Sequence, residues 1–311
     1  MAVFTYSLDD AIPPACTGGA ITIGNFDGVH LGHQALLGAA ISQARRGHGP
    51  AVAVTFDPHP FELLRPDQFQ PVLTTTQQRA ELLQQFGADH VLILSTTREL
   101  LNLSARAFFH GIVHERVQAK AVVEGPNFGF GKNREGNVVM LQALGKENGI
   151  HVVIVPPKLW EGKPISSSRV RNELVAGNVA RACTMLGRPY VLTGAVIPGQ
   201  KRGQSLGFPT ANLGNIPTLI PGDGVYAVRV RHADKTWAGA ANLGPNPTFA
   251  EDARKVEVHL IDFNGDLYGR ELTIEFLDKL RDTRAFAGPS ELSTQLQQDI
   301  TRAKDIAQRS I

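Results

Sequence analysis

The chain has 311 residues, 42% of them apolar, and its 31 Lys and Arg against 29 Asp and Glu leave a formal charge of +2. Length and apolar content predict a globular protein of two domains, each with its own core. Near-balanced charge without a basic cluster argues against dedicated nucleic-acid binding, and no apolar run approaches the roughly 18–20 residues of a membrane span. The start of the chain, with Asp9 and Asp10, lacks the basic-then-apolar profile of a signal peptide, so a cytoplasmic location is expected. Cys16 and Cys183 are far apart and show no CxxC spacing, which predicts reduced bystanders rather than a disulfide or a cysteine zinc site.

In chain order, short β-rich runs alternate with helical stretches. Strand-like Ala20–Gly24, Ala51–Phe56, His90–Leu94, Ala119–Glu124 and His151–Val155 interleave with helical Leu31–Arg46, Thr76–Phe86, Ser104–Gln118 and Val138–Asn148. Strands this continuously apolar belong to a parallel sheet covered on both faces. Two short helical segments follow, Ser167–Ala176 and Val179–Leu186. Beyond Gly187–Arg188–Pro189 the rhythm changes. Tyr190–Ile197, Gly224–Arg231, Trp237–Asn242, Lys255–Phe263 and Leu272–Leu277 read as strands separated by turn residues, predicting an antiparallel barrel or sandwich. Leu292, Leu296, Ile300, Ala303 and Ile306 then give Pro289–Arg309 the apolar stripe of a terminal amphipathic helix. The expected domains are therefore 1–187 and 188–311.

Gly24–His33, GNFDGVHLGH, runs from a strand end through a glycine-rich turn into a helix. Glycines admit an anion close to backbone amides, and the helix start adds partial positive charge. His30 and His33 share one face of the first turn and can aim at one phosphate. Donors placed in advance suit nucleotidyl transfer, where charge develops on phosphate oxygens. A zinc site and a merely structural pair are the competing readings, although no third ligand cluster accompanies the histidines. His59, held between Pro58 and Pro60, reads equally as packed or as substrate-facing.

This GxFDGxHxGH string resembles the signature of the nucleotidyltransferase superfamily, and Ile165–Arg171, ISSSRVR, resembles its ISSSxxR phosphate element. TFDPHP at Thr55–Pro60 and GPNFGFG at Gly125–Gly131 narrow the likeness to the FMN adenylyltransferase module of prokaryotic FAD synthetases. The resemblance implies a Rossmann-like α/β fold in which Gly24, Phe26, His30, His33, Ser167, Ser168 and Arg169 take ATP. It places Asn127 near the flavin nucleotide, at a position where many relatives carry Asp. Read from the residues alone, Ser167 and Ser168 can cap a helix while Arg169 and Arg171 offer forked donors to phosphate.

Gly199–Asn212, GQKRGQSLGFPTAN, gathers glycines, Lys201, Arg202 and Thr210 in one inter-strand loop suited to a nucleotide phosphate tail. The GKS/T ending of a Walker loop is absent. Thr210 and Asn212, two apart on an extended segment, offer a hydroxyl and a carbonyl fit for Mg²⁺. Glu257 stands in the alternating strand Lys255–Leu260, as a salt-bridge partner or a base. This half resembles riboflavin kinase at Gly199–Leu213, at Gly224–Val228 (GVYAV), at Ala241–Phe249 (ANLGPNPTF) and at Val256–Phe263.

The riboflavin kinase resemblance implies ATP contacts from Gly199, Lys201, Gly203, Gly207, Thr210 and Asn212, with Thr210 and Asn212 also at Mg²⁺. It makes Glu257 the base that deprotonates the riboflavin 5′-hydroxyl, and assigns Arg281 and Phe286 to the flavin side, where Phe286 reads equally as core. Together the resemblances imply an enzyme that phosphorylates riboflavin to FMN with ATP, then adenylylates FMN to FAD with a second ATP and releases pyrophosphate. Small-molecule substrates are the expected partners, without nucleic acid or membrane, and the oligomeric state stays open. The alternatives are a riboflavin kinase with an inert first module, and a flavin-binding regulator without turnover.

Overall fold

A computed structural model describes residues 2–8, 10–199, 207–233, 235–246 and 251–309. The chain divides into two compact units, 1–70 with 74–166, and 71–73 with 167–311.

The first unit comprises β1 (Ala2–Tyr6), β2 (Ala20–Ile23), α1 (Leu31–Gly47), β3 (Ala51–Asp57), α2 (Pro60–Leu64), α3 (Thr76–Gln85) and β4 (His90–Ser95). It continues through α4 (Arg98–Asn102), α5 (Ala105–Phe108), β5 (Ala121–Glu124), α6 (Val138–Glu147), β6 (His151–Ile154) and a small hairpin, β7 (Leu159–Trp160) with β8 (Lys163–Pro164). β1 to β6 form one parallel sheet in the order β1-β4-β3-β2-β5-β6. Because side chains alternate along a strand, β3 sends Val52 and Val54 to one layer and Ala53 to the other. Phe108, Phe109, Ile112, Leu141 and Leu144 cover the first layer. Leu37 of α1 with Ala80 and Leu83 of α3 cover the second. Thr75 and Gln78 start α3 with a reciprocal capping box.

The short helices α2 and α4 and the β7–β8 hairpin add to the elements read from the sequence, and two further features differ from that reading. β1 is an added edge strand, its five residues pairing with Ala2 opposite His90 through Tyr6 opposite Leu94. The expected helix Ser104–Gln118 starts as α5 and widens to π-helical winding over Phe109–Arg116.

From β2 the chain builds outward through β3 and β4 on one side and through β5 and β6 on the other. The order reverses between β2 and β5, and ligands of open α/β sheets bind in the crevice beyond the strand ends at such a switch point.

The second unit holds α7 (Ser167–Val175), α8 (Val179–Leu186), β9 (Tyr190–Ile197), β10 (Ala211–Gly214), β11 (Gly224–His232), β12 (Lys235–Asn246), β13 (Glu251–Leu260), β14 (Glu271–Arg281) and α9 (Pro289–Arg309). Its six strands close an antiparallel barrel in the order β10-β13-β12-β11-β14-β9. Closure depends on β10, a four-residue strand that begins in the last two residues of the Gly199–Asn212 stretch read as a loop and bridges β9 and β13. Tyr226, Val228, Val258 and Phe276 are fully buried. α9 lays Ile300, Ala303 and Ile306 on Val225, Ala227 and Leu280.

The compact units part at Ser166/Ser167, ahead of the Gly187/Arg188 boundary read from the change of rhythm. The physical reason is the burial of Val179, Ala182, Met185 and Leu186 on α8, whose Cys183 Sγ accepts from Tyr190 N at 3.3 Å and lies 3.5 Å from Phe276 O. Burial pushes both the Cys16 and Cys183 thiols up to about 11, so neither is a reactive thiolate.

Candidate active sites

In the first unit, the turn after β2 is wound tightly: Phe26, Gly28 and Val29 have φ of 47°, 81° and 39°. A β-branched residue in that region stores strain of about 1–3 kcal/mol, the kind of cost that collects at functional sites. Asp27, 1% exposed, holds the turn in place. Its Oδ1 accepts from Thr74 N at 3.1 Å and from Thr74 Oγ1 at 3.3 Å, while Thr74 Oγ1 accepts from Gly28 N at 3.1 Å.

His30 is the N-cap of α1, and its Nδ1 accepts from His33 N at 3.3 Å. The neutral His30 ring therefore carries its proton on Nε2. His30 and His33 stack with centroids 3.6 Å apart and planes 18° from parallel, and the Phe26 ring meets His33 edge-on at 5.2 Å. A Cβ on Gly32 would stand 3.0 Å from His30 Cε1, and one on Gly24 3.2 Å from the Phe26 ring. Both glycines leave room for these rings.

Burial first, then His30 and then Arg79, holds His33 well below the usual histidine range, so this ring is neutral. Arg79 of α3 is 2% exposed and donates to Phe56 O at 2.8 Å and Thr76 Oγ1 at 3.2 Å. Burial lowers its pKa, while Asp27 and Asp57 raise it. Sequence reasoning missed both Asp27 and Arg79. Asp27 stands inside the recognised motif, whereas no local signal marks Arg79.

Asn127 is exposed, in the segment that leaves the C-terminal end of β5, and its carbonyl accepts from Arg134 Nη2 at 3.0 Å. Gly131 has φ 73°, and a Cβ there would stand 2.4 Å from Ala105 N, so the segment requires glycine. His59 caps α2, accepting from Phe61 N at 3.1 Å, and leans on Phe61 and Phe69. The Ile165 carbonyl lies 3.7 Å from a Cβ on Gly32, at the start of α1. Ser167, Ser168 and Arg169, expected beside the histidines, form the first turn of α7 and belong to the second unit.

In the second unit the barrel register assembles a row. Asn212 on β10 lies opposite Glu257 on β13, Glu257 lies opposite Asn242 on β12, Asn242 opposite Val225 on β11, and Val225 opposite Arg281 on β14. Directly opposed residues point to the same face with Cβ atoms about 4.5–5.5 Å apart. Val256 and Val258 are buried while Glu257 is only half-buried, so the row lies on the barrel's outer face. Asn242 was quoted within ANLGPNPTF but not singled out. Only the register marks it.

His259 Nδ1 lies 2.8 Å from Pro209 O, with its ring edge-on to Phe208 at 6.0 Å, which ties the FPTAN segment to β13. Thr210 is exposed just before β10. A Cβ on Gly199 would stand 2.1 Å from Asn212 Nδ2, so bare backbone there makes room for the amide, and Gly207 turns with φ 84°. Lys201 and Gly203 lie outside the described residues. Arg281 pairs with Asp299 of α9, which is 1% exposed, through Nε and Nη2, each 2.9 Å from Oδ2. The half-buried Phe286 ring has the guanidiniums of Arg281 and Arg284 at 5.4 and 4.9 Å from its centroid. Phe286 is thus a half-buried aromatic rather than a fully buried core side chain.

Among the described residues, no group of three or more His, Cys, Asp or Glu gathers as a metal site, and no helix is long and apolar enough to cross a membrane.

Comparison with known proteins agrees with this division of motifs. A family model described as FAD synthetase matches residues 13–169, and one described as riboflavin kinase matches residues 186–307. The bifunctional riboflavin kinase/FMN adenylyltransferase of Escherichia coli K12 is 36% identical over 301 residues, covering 96% of this chain and 95% of that protein. The protein of the same name from Pseudomonas fluorescens is 38% identical over 295 residues, covering 94% of each. A crystal structure titled as a macrolide-efflux protein from Streptococcus pneumoniae superposes with a TM-score of 0.87 at 32% identity, covering 96% of this chain and 98% of that one.

Proposed function

Since the chain belongs to the family of bifunctional riboflavin kinases/FMN adenylyltransferases, we propose that each of its two reactions uses one of the constellations described above. The chain phosphorylates riboflavin to FMN with ATP, and adenylylates FMN to FAD with a second ATP. The kinase assignment is carried by one observation, the register that sets Glu257 between Asn212 and Asn242.

In riboflavin phosphorylation, Glu257 takes the proton of the 5′-hydroxyl as that oxygen attacks the γ-phosphorus of ATP, and the bond from phosphorus to the ADP oxygen breaks. Asn212, Thr210 and the backbone around Gly199 and Gly207 hold the phosphate tail, with Lys201 and Gly203 assigned there by motif. Arg281, fixed by Asp299, and Phe286 border the flavin. A hydroxyl, an amide carbonyl and a carboxylate form a hard-oxygen set that fits Mg²⁺, an ion that binds through one or two protein oxygens plus substrate phosphates. Mg²⁺ bound there by Thr210 and Asn212 would supply charge neutralisation on the phosphates.

In adenylyl transfer, a phosphate oxygen of FMN attacks the α-phosphorus of the second ATP, and pyrophosphate leaves with the bridging oxygen. The attacking oxygen is already anionic, so no base is required. His30 through Nε2–H, and His33 beside it, donate to phosphate oxygens whose charge grows in the transition state. The start of α1, which follows the turn at Leu31, adds partial positive charge. Asn127 is assigned to FMN, and Ser167, Ser168 and Arg169 keep the phosphate role of their motif. The functional division is placed at Gly187/Arg188, close to the start of the riboflavin kinase match at residue 186. Nearly balanced charge supports small-molecule partners without nucleic acid.

Incubating the protein with riboflavin, ATP and Mg²⁺ and separating the flavins by chromatography tests the reading. FAD supports it, FMN alone would leave only the kinase active, and unchanged riboflavin would indicate a binding protein.

A further inference from the structure

One buried acid at the switch point has no part in the chemistry above. Glu124 is the last residue of β5 and 2% exposed. The parallel ladder between β2 and β5 pairs Ala20 with Ala121 and Ile21 with Val122 and goes no further. Beyond it, the Glu124 side chain takes over, and its Oε1 accepts from Ile23 N at 2.6 Å. On the other side of β2, Gly24 N donates to Val54 O at 3.0 Å. The end of β2 is therefore held by backbone on the β3 side and by a carboxyl on the β5 side.

A backbone ladder keeps strands about 4.8 Å apart, whereas a side-chain bridge holds them further apart by its own length. The bridge stands where the crevice must open. Ile23 precedes Gly24, which starts the histidine turn, and Glu124 precedes Gly125, which starts the segment carrying Asn127. Burial keeps the carboxyl well above the usual carboxylate range, although backbone N–H groups of Ile23 and Gly125 pull the other way. What the geometry requires of Glu124 is an acceptor oxygen at this reach from Ile23 N, which the oxygen of an amide of equal length can supply.

We propose that Glu124 is a positioning residue for adenylyl transfer, bridging the parted ends of β2 and β5 so that the Gly24–His33 turn and the Gly125–Gly131 segment keep a fixed spacing. This rests on the assignment of adenylyl transfer to the first unit. Glu124 need not touch substrate to do this. A hydrocarbon would leave Ile23 N–H buried without an acceptor, and aspartate would fall one methylene short.

The test uses the full chain as wild type, E124Q, E124D and E124L, with separate kinetics for FMN to FAD and for riboflavin to FMN. E124Q is expected to stay within about threefold of wild type in FAD formation. E124D and E124L are expected to lose about tenfold or more in kcat/KM, through raised KM for both ATP and FMN, with riboflavin phosphorylation unchanged. Rescue by the amide but not by the shorter acid is a pattern that a need for acidity would reverse. Should E124L fail to fold, the contrast between E124Q and E124D decides. Wild-type FAD formation by E124D, or loss in E124Q as deep as in E124D, would overturn the proposal. H30A in the same assay separates the two levels. If H30A forms FAD normally, the assignment of the reaction to this unit fails, whatever the Glu124 variants do.

Discussion

Asn212 of β10 stands directly across from Glu257 of β13 in the antiparallel register. The second residue after Thr210 in the FPTAN segment is therefore a direct cross-strand neighbour of the carboxylate assigned as base. E257Q preserves volume and hydrogen bonding but not basicity, so riboflavin phosphorylation should fall about 10²–10⁴-fold. FAD formation from supplied FMN should persist. Steady-state kinetics of each half-reaction check this.

Asn242, the other neighbour of Glu257, should matter for the same step. N242A is expected to lower kinase kcat/KM about tenfold by removing one hydrogen-bonding neighbour, while FAD formation from FMN is unaffected. Unchanged phosphorylation would take Asn242 out of the site.

His33 is held neutral in the folded state, so between its lowered pKa and the ordinary value of 6.5 the unfolded chain binds more protons than the folded one. Stability contributed by this group is complete above 6.5 and is lost as the pH falls below it. Trp160 lies in the first unit and Trp237 in the second. In a W237F background, the Trp160-reported melting temperature should drop on acidification from about pH 7.5 to 5.5, and less so in H33N.

Glu124 has the opposite sign. An acid whose folded pKa is raised makes the folded state bind more protons, so stability falls as pH rises through the ordinary value of 4.5 toward the raised one. E124Q lacks this loss. Its melting temperature should exceed that of wild type at neutral pH, and the gap should close toward pH 4.5.

The barrel with α9 should not fold equally well from both boundaries. A fragment starting at Arg188 loses Val179, Ala182, Met185 and Leu186 of α8, all buried. At about 1.5–3 kcal/mol for each buried large aliphatic side chain, the loss rivals a domain's whole stability. A fragment starting at Ser167 should melt at least about 10 °C higher, and both fragments, where folded, should make FMN and no FAD. Equal melting would show that α7 and α8 contribute nothing to this unit.

The parallel sheet was legible because β2 to β5 are continuously apolar, a pattern that survives without knowledge of their neighbours. β1 and β10 were not, since one is a short edge strand and the other four residues long, and both are strands only through pairing with β4 and with β9 and β13. His30 and His33 were legible as a pair from helical spacing, as was Glu257 from its alternating strand. Asn242 depends on register, and Glu124 on a contact with Ile23 across 101 positions of sequence. Local sequence carries neither. The docking of α8 on the barrel was hidden for the same reason: its apolar stripe announces a buried face without naming the partner.

The measurement that tests the two-site account most directly is complementation between E257Q and the double variant H30A/H33A, followed by chromatographic separation of flavins. Given riboflavin, ATP and Mg²⁺, E257Q alone should leave riboflavin nearly untouched, and H30A/H33A alone should stop at FMN, with FAD formation reduced at least about 10²–10³-fold. Mixed, the two should produce FAD, because FMN released by one variant is adenylylated by the other. A mixture that makes no FAD, or either variant losing both half-reactions while folded, would contradict the division of the chemistry between Glu257 and the two histidines.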